Sequence, residues 1–124
     1  MRKPITTALF ALLATGIASL FLVQLASAGP ARRSATKTVL VKGGEFFFRL
    51  STKSIARPGK VTFLFKNAGH VAHDFKINRR VTPLITPGKT AKLAVTFRKK
   101  GKYPYLCTVP GHAAAGMRGV FTVR

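Results

Sequence analysis

From residue 38 onward the chain is a succession of short apolar or alternating runs cut by Gly and Pro, the pattern of an all-β sandwich or barrel. Runs at 38–42, 45–50, 60–66, 74–78, 89–97, 101–107 and 118–123 predict about seven or eight strands. With a side-chain period of two, Val61, Phe63 and Phe65 point inward, as do Phe75 with Ile77 and Ala91 with Leu93, Val95 and Phe97. In the second run Phe46 and Phe48 fall on one face and Phe47 and Arg49 on the other. Phe46, Phe63, Phe65, Phe75 and Phe97 are therefore read as core. Arg57-Pro58-Gly59 and Pro87-Gly88 mark turns, and residues 67–71 a loop. No stretch outside the N-terminal leader calls for a helix, and no internal repeat is present.

The first 28 residues carry a different signal. Arg2 and Lys3 precede an apolar run from about Ala8 to Val23, and Ala26-Ser27-Ala28 is followed by Gly29-Pro30. That layout is a secretory signal peptide, expected to end at Ala28. An uncleaved N-terminal anchor is the alternative, although the run is short for a membrane span of ~20 residues. Residues 29–37 are basic and without period, a flexible lead-in, and 38–124 form the domain. Without the leader 96 residues remain, enough for one small domain and too few for two. A bound metal would contribute usefully to the stability of so small a core. Export places the protein in a periplasm, outside the cell or at its surface.

Candidate chemistry concentrates in residues 103–117, where Cys107, His112 and Met117 fall within one short segment. Cys107 ends a β run, Pro110 and Gly111 stop it, and Gly116 lets the backbone turn again before Met117. A single unpaired Cys in an exported chain implies an intermolecular disulfide, a reactive thiol or a metal ligand. A buried cysteine filling a strand end is the plain alternative, as core packing is for Met117. A thiolate, an imidazole and a thioether together suit copper better than zinc, magnesium or calcium. A mononuclear electron-transfer site needs a second imidazole, and only His70 and His73 remain. His73 stands just before a strand whose inward residue is Phe75, so period two places it on the core-facing side; His70 lies in a loop without that constraint and is read as solvent-exposed. Tyr105 shares the face of Cys107 and is placed to shield a metal from water.

The Cys-x4-His-x4-Met pattern, with Gly69-His70-Val71-Ala72-His73-Asp74-Phe75 upstream, resembles the cupredoxins, the blue-copper proteins that include plastocyanin, azurin and rusticyanin. The resemblance spans roughly residues 38–124 and implies a Greek-key β-sandwich holding one type 1 copper ion. By position its ligands are His73, Cys107 and His112, with Met117 as a weak axial ligand. The Cys-to-His gap exceeds that of plastocyanin and is nearer the rusticyanin or sulfocyanin type. Many family members have Asn after the first histidine where this chain has Asp74, a carboxylate expected to lower the potential or to pair with a nearby Lys.

Charge bears on partners. Against 22 Lys and Arg stand two acids, Glu45 and Asp74; losing Arg2 and Lys3 with the leader lowers the formal charge from +20 to +18. The domain is thus expected to meet a redox partner that is acidic or sits on an anionic surface, with association to a membrane surface or cell wall, and to act as a monomer. Export and the lack of any recognition helix or aromatic RNA-binding signature argue against nucleic acid. Three function classes follow: a one-electron carrier, a copper-binding or delivery protein without electron transfer, and an enzyme. Copper enzymes with related domains need further copper centres, which three histidines do not supply, so the chain is not read as an enzyme.

Overall fold

The computed structural model describes Gly29 and residues 36–124; the expected leader, and most of the lead-in, lie outside the described residues. Nine strands occur among them: β1 (Lys37–Gly44), β2 (Phe47–Leu50), β3 (Ser54–Ile55), β4 (Gly59–Asn67), β5 (Lys76–Ile77), β6 (Arg80–Val81), β7 (Thr90–Phe97), β8 (Gly101–Leu106) and β9 (Arg118–Val123). One helical turn, α1 (His112–Ala115), precedes β9. The strands form two sheets, ordered β2-β1-β4-β7 and β3-β9-β8-β5-β6, the all-β sandwich expected. β3 and β6, each of two residues, account for the excess over the seven runs, and both are too short for alternation to reveal.

Alternation correctly sorted the long strands. β1 runs parallel to β4 with Val39 opposite Phe63 and Val41 opposite Phe65. β4 runs antiparallel to β7 with Phe63 opposite Leu93. All five of these side chains are buried. Phe63 meets Phe75 and Phe121 across the sandwich at centroid distances of 5.3 and 5.4 Å, and Phe97 of its own sheet at 6.3 Å. Each fully buried aromatic or large aliphatic side chain contributes about 1.5–3 kcal/mol relative to exposure, so this layer is the main source of cohesion.

Three expectations are corrected. Phe46 is not core: it is 43% exposed. The run at 45–50 is not one strand, because Glu45 and Phe46 form the turn that joins β1 to β2, with Gly44 opposite Phe47. A turn residue does not follow the pleat, so period two fails at Phe46 while Phe48 still packs on the core. A helical turn also exists outside the leader. Ala113, Ala114 and Ala115 carry high helix propensity, and the turn runs between Gly111 and Gly116. Gly116 has φ +130° and a Cβ there would lie 2.7 Å from the Phe46 carbonyl oxygen, so both backbone and space require glycine.

One end of the sandwich gathers the functional segments. The Asn67 amide bonds the Lys89 carbonyl at 3.0 Å, which puts the end of β4 beside the start of β7. Gly43 pairs with Asn67, so the β1–β2 turn lies there too. At the other end Gly59 faces Phe97, and Gly101 faces Val123.

Candidate metal centre

His73, Cys107 and His112 converge at the end where β8 finishes and β5 is about to begin. Backbone bonds between His73 and Ile85, at 3.1 and 2.9 Å, pin the first as an isolated bridge. Cys107 follows β8 directly. Its amide donates to the Met117 carbonyl at 3.0 Å, and the Met117 amide donates to the His112 carbonyl at 3.0 Å, so the segment from 107 to 117 closes on itself. Met117 is fully buried in that closed loop.

The donor atoms form a small triangle. Nδ1 of His73 and Nδ1 of His112 are 3.0 Å apart, and Cys107 Sγ is 3.6 Å from the second and 3.9 Å from the first. A point equidistant from all three lies about 2 Å from each, the length of transition-metal bonds to imidazole and thiolate. His73 and Cys107 are buried, whereas His112 is half-buried. Burial pushes the Cys107 thiol above its ordinary value, so an adjacent cation is what would favour the thiolate there. Phe46 stands edge-on to the His112 ring, 5.1 Å between centroids and 68° between planes. Tyr105 and Cys107 are both buried, with Phe48 packed against the tyrosine at 5.8 Å.

Around this triangle lie groups that the residue pattern did not reveal. Glu45 Oε1 is 2.8 Å from His73 Nε2. The same carboxylate accepts the amides of His70 at 2.9 Å and Val71 at 3.0 Å. The Val71 amide, above all, holds the Glu45 carboxyl down at about 2. Asn67, wholly buried, donates to the carbonyls of Val71 and Ile85 at 2.8 and 2.9 Å and accepts the Gly69 amide at 2.9 Å, which shapes the loop presenting those amides. Among the described residues no lysine pairs with Asp74. Its Oδ1 accepts the Thr108 amide at 2.6 Å and its Oδ2 the Thr108 hydroxyl. His70 projects into solvent, its side chain 96% exposed, as its loop position implied. The only sequence signal for Glu45 was its rarity, one of two acids in the chain.

Residues 35–124 match the family described as copper binding proteins, plastocyanin/azurin family. The chain belongs to that family. Solved structures with the same fold include reduced auracyanin from the photosynthetic bacterium Roseiflexus castenholzii, 24% identical over 73% of this chain and 98% of that one, with a TM-score of 0.62. Auracyanin A, a "blue" copper protein of the green thermophilic photosynthetic bacterium Chloroflexus aurantiacus, is 22% identical over 70% of this chain and 98% of that one, with a TM-score of 0.58. Among curated proteins the chain is similar to the copper-resistant cuproprotein CopI of Pseudomonas aeruginosa, 46% identical over 41 residues, which are 33% of this chain and 23% of the relative. It is also similar to CopI of Vibrio cholerae, 31% identical over 46% of each. The chain thus spans less than half the length of these curated relatives.

The donor set fits the family's metal. One thiolate and two imidazoles, drawn together within bonding reach of one point and largely shut off from water, suit a single type 1 copper ion.

Proposed function

We propose that this chain is an exported blue-copper protein that carries one electron at a time, with His73, Cys107 and His112 as its metal ligands and Met117 as the weak axial one. The observation that supports the reading is the convergence of the Cys107 sulfur with both imidazole nitrogens, two of the three residues being buried and His112 half-exposed. Copper held there supplies a Cu(II)/Cu(I) couple. The chain's own part is rigidity and access. Backbone bonds pin His73, the bonds among Cys107, His112 and Met117 close the loop, and Asp74 ties the two segments together, so the donors need to move little between oxidation states. Around His112 the surface is small and apolar: Phe46 stands against its ring, and Ala113, Ala114 and Ala115 follow it along the chain. A partner can approach that edge without desolvating a charge.

The opposite end is basic. Arg98, Lys99, Lys100 and Lys102 lie between β7 and β8 or at the start of β8, and Asn78, next to Arg79 and Arg80, reaches the Thr96 carbonyl at 3.5 Å. Both acids of the chain are engaged at the metal end. This pole serves to steer the protein to an acidic redox partner or an anionic surface, and the leader-like residues 1–28 support export to a periplasm or the cell exterior. The chain is not an enzyme in its own right, since beyond His73 and His112 its three histidines leave only the exposed His70, too few for a further copper centre.

The similarity to copper-resistant CopI favours a second reading, copper binding or delivery without electron transfer. An absorption spectrum of copper-loaded protein tests the centre itself: an intense visible thiolate-to-copper band is expected, and a colourless protein that prefers zinc overturns it. Rapid electron exchange with retention of Cu(I) supports the carrier. Loss of Cu(I) to a competing chelator, without exchange, supports delivery.

A further inference from the structure

The β1–β2 turn enters the site without supplying a metal ligand. Its first residue, Glu45, touches the buried imidazole of His73, and its second, Phe46, flanks the half-exposed imidazole of His112. We propose that Glu45 is a positioning residue for the metal centre, its carboxylate holding His73 with Nδ1 turned toward Cys107 and favouring the more highly charged state of the bound ion. The inference rests on the copper reading above.

Three observations carry it. First, an ionised carboxylate only accepts hydrogen bonds, so the 2.8 Å contact places the proton of neutral His73 on Nε2 and leaves the Nδ1 lone pair free. Nδ1 is the atom that faces Cys107 Sγ and His112 Nδ1. Second, the carboxylate is itself held. The amides of His70 and Val71 bind it, and Asn67 fixes the loop that carries them. A Cβ on Gly69 would meet the Glu45 carboxylate, so the loop is moulded to that group. Third, a negative charge bonded to a ligand imidazole raises the ligand's basicity and stabilises a doubly charged ion more than a singly charged one. Glu45 therefore ties a β-hairpin turn to a ligand 28 residues further along the chain.

The alternative is that Glu45 only fastens the loop. Glu45→Gln separates the two, because the amide oxygen still accepts backbone N–H groups while the charge is gone. Glu45→Ala removes both, and Gly69→Ala keeps the charge but displaces it. Each variant of the full chain is measured for Cu(II) and Cu(I) affinity and reduction potential, and, copper-free, by 15N NMR for the His73 Nε2–H signal. Glu45→Ala is expected to weaken Cu(II) binding about 10- to 100-fold. Cu(I) binding falls less, and each tenfold difference raises the potential by about 59 mV. Glu45→Gln raises the potential while the copper-free protein unfolds at nearly the wild-type temperature. Gly69→Ala exposes the Nε2–H signal to rapid exchange in copper-free protein. Wild-type protein with a thiolate band, beside Glu45→Gln and Glu45→Ala variants of unchanged potential, would overturn the positioning role and leave the copper centre standing. A wild-type protein without the band overturns the centre, whatever the NMR shows at His73.

Discussion

The carboxylate of Asp74 accepts the backbone amide of Thr108 at 2.6 Å, so the residue after His73 is bonded to the residue after Cys107. Asp74 is almost fully buried, and Thr108 adds its hydroxyl to the same carboxylate. Two segments 34 residues apart thus share one fastening directly behind the metal donors. Asp74→Ala removes a charged acceptor from the part-buried Thr108 amide and is expected to cost about 1.5–3 kcal/mol. Asp74→Asn keeps an acceptor for the amide and is expected to cost less, with the copper band retained. Thermal unfolding of the copper-free variants checks the ordering.

Cys107→Ser should abolish the visible band, because the band requires a thiolate. His73→Ala should remove it as well, whereas His70→Ala should leave it intact, since the His70 side chain lies in solvent. Spectra of the three copper-loaded variants decide this, and the reverse result for the two histidines would exchange their roles.

Met117→Leu should retain copper and a visible band while the potential shifts upward, as expected on losing a weak thioether ligand. The substitution nearly conserves volume in a fully buried position, so packing should change by less than about 1.5 kcal/mol. Voltammetry and copper analysis check both parts. Complete loss of copper would make Met117 a principal ligand or an indispensable packing residue.

The two ends of the sandwich should separate in their effects. Reversing Arg79, Arg80, Lys99 and Lys100 to Glu should weaken binding to anionic surfaces and leave electron exchange with a small neutral reagent nearly unchanged. Ala114→Glu should impair exchange with a protein partner and spare surface binding. Association of the wild type should slow as salt rises, since screening acts over ~8 Å at physiological ionic strength. Stopped-flow rates and vesicle-binding isotherms at two salt concentrations are the measurements; equal effects of both variants on both would remove the two-ended picture.

Much of the architecture was legible because its determinants are local. A period of two put Val61, Phe63 and Phe65 on the inward face of one strand and Leu93, Val95 and Phe97 on that of another, and each of the six is buried. Cys107, His112 and Met117 fall within one loop, so their grouping needed only turn residues between them, and His73 followed from Phe75 by the same pleat. Where the pleat stops, local reading stops with it. Phe46 sits in a turn, so its direction is decided by the His112 ring it flanks, and it left the core to which alternation had assigned it. Ala113, Ala114 and Ala115 make a helical turn because the 107–117 segment closes through bonds to Met117, a constraint absent from their composition alone. Glu45 meets His73, and Asp74 meets Thr108, only after separate segments are brought to one end of the sandwich. The sequence by itself therefore determined which side chains of the long strands are inside and which donors are offered. Tertiary structure alone decided which charged groups stand behind those donors, because such contacts depend on the packing of distant segments and leave no periodic trace along the chain.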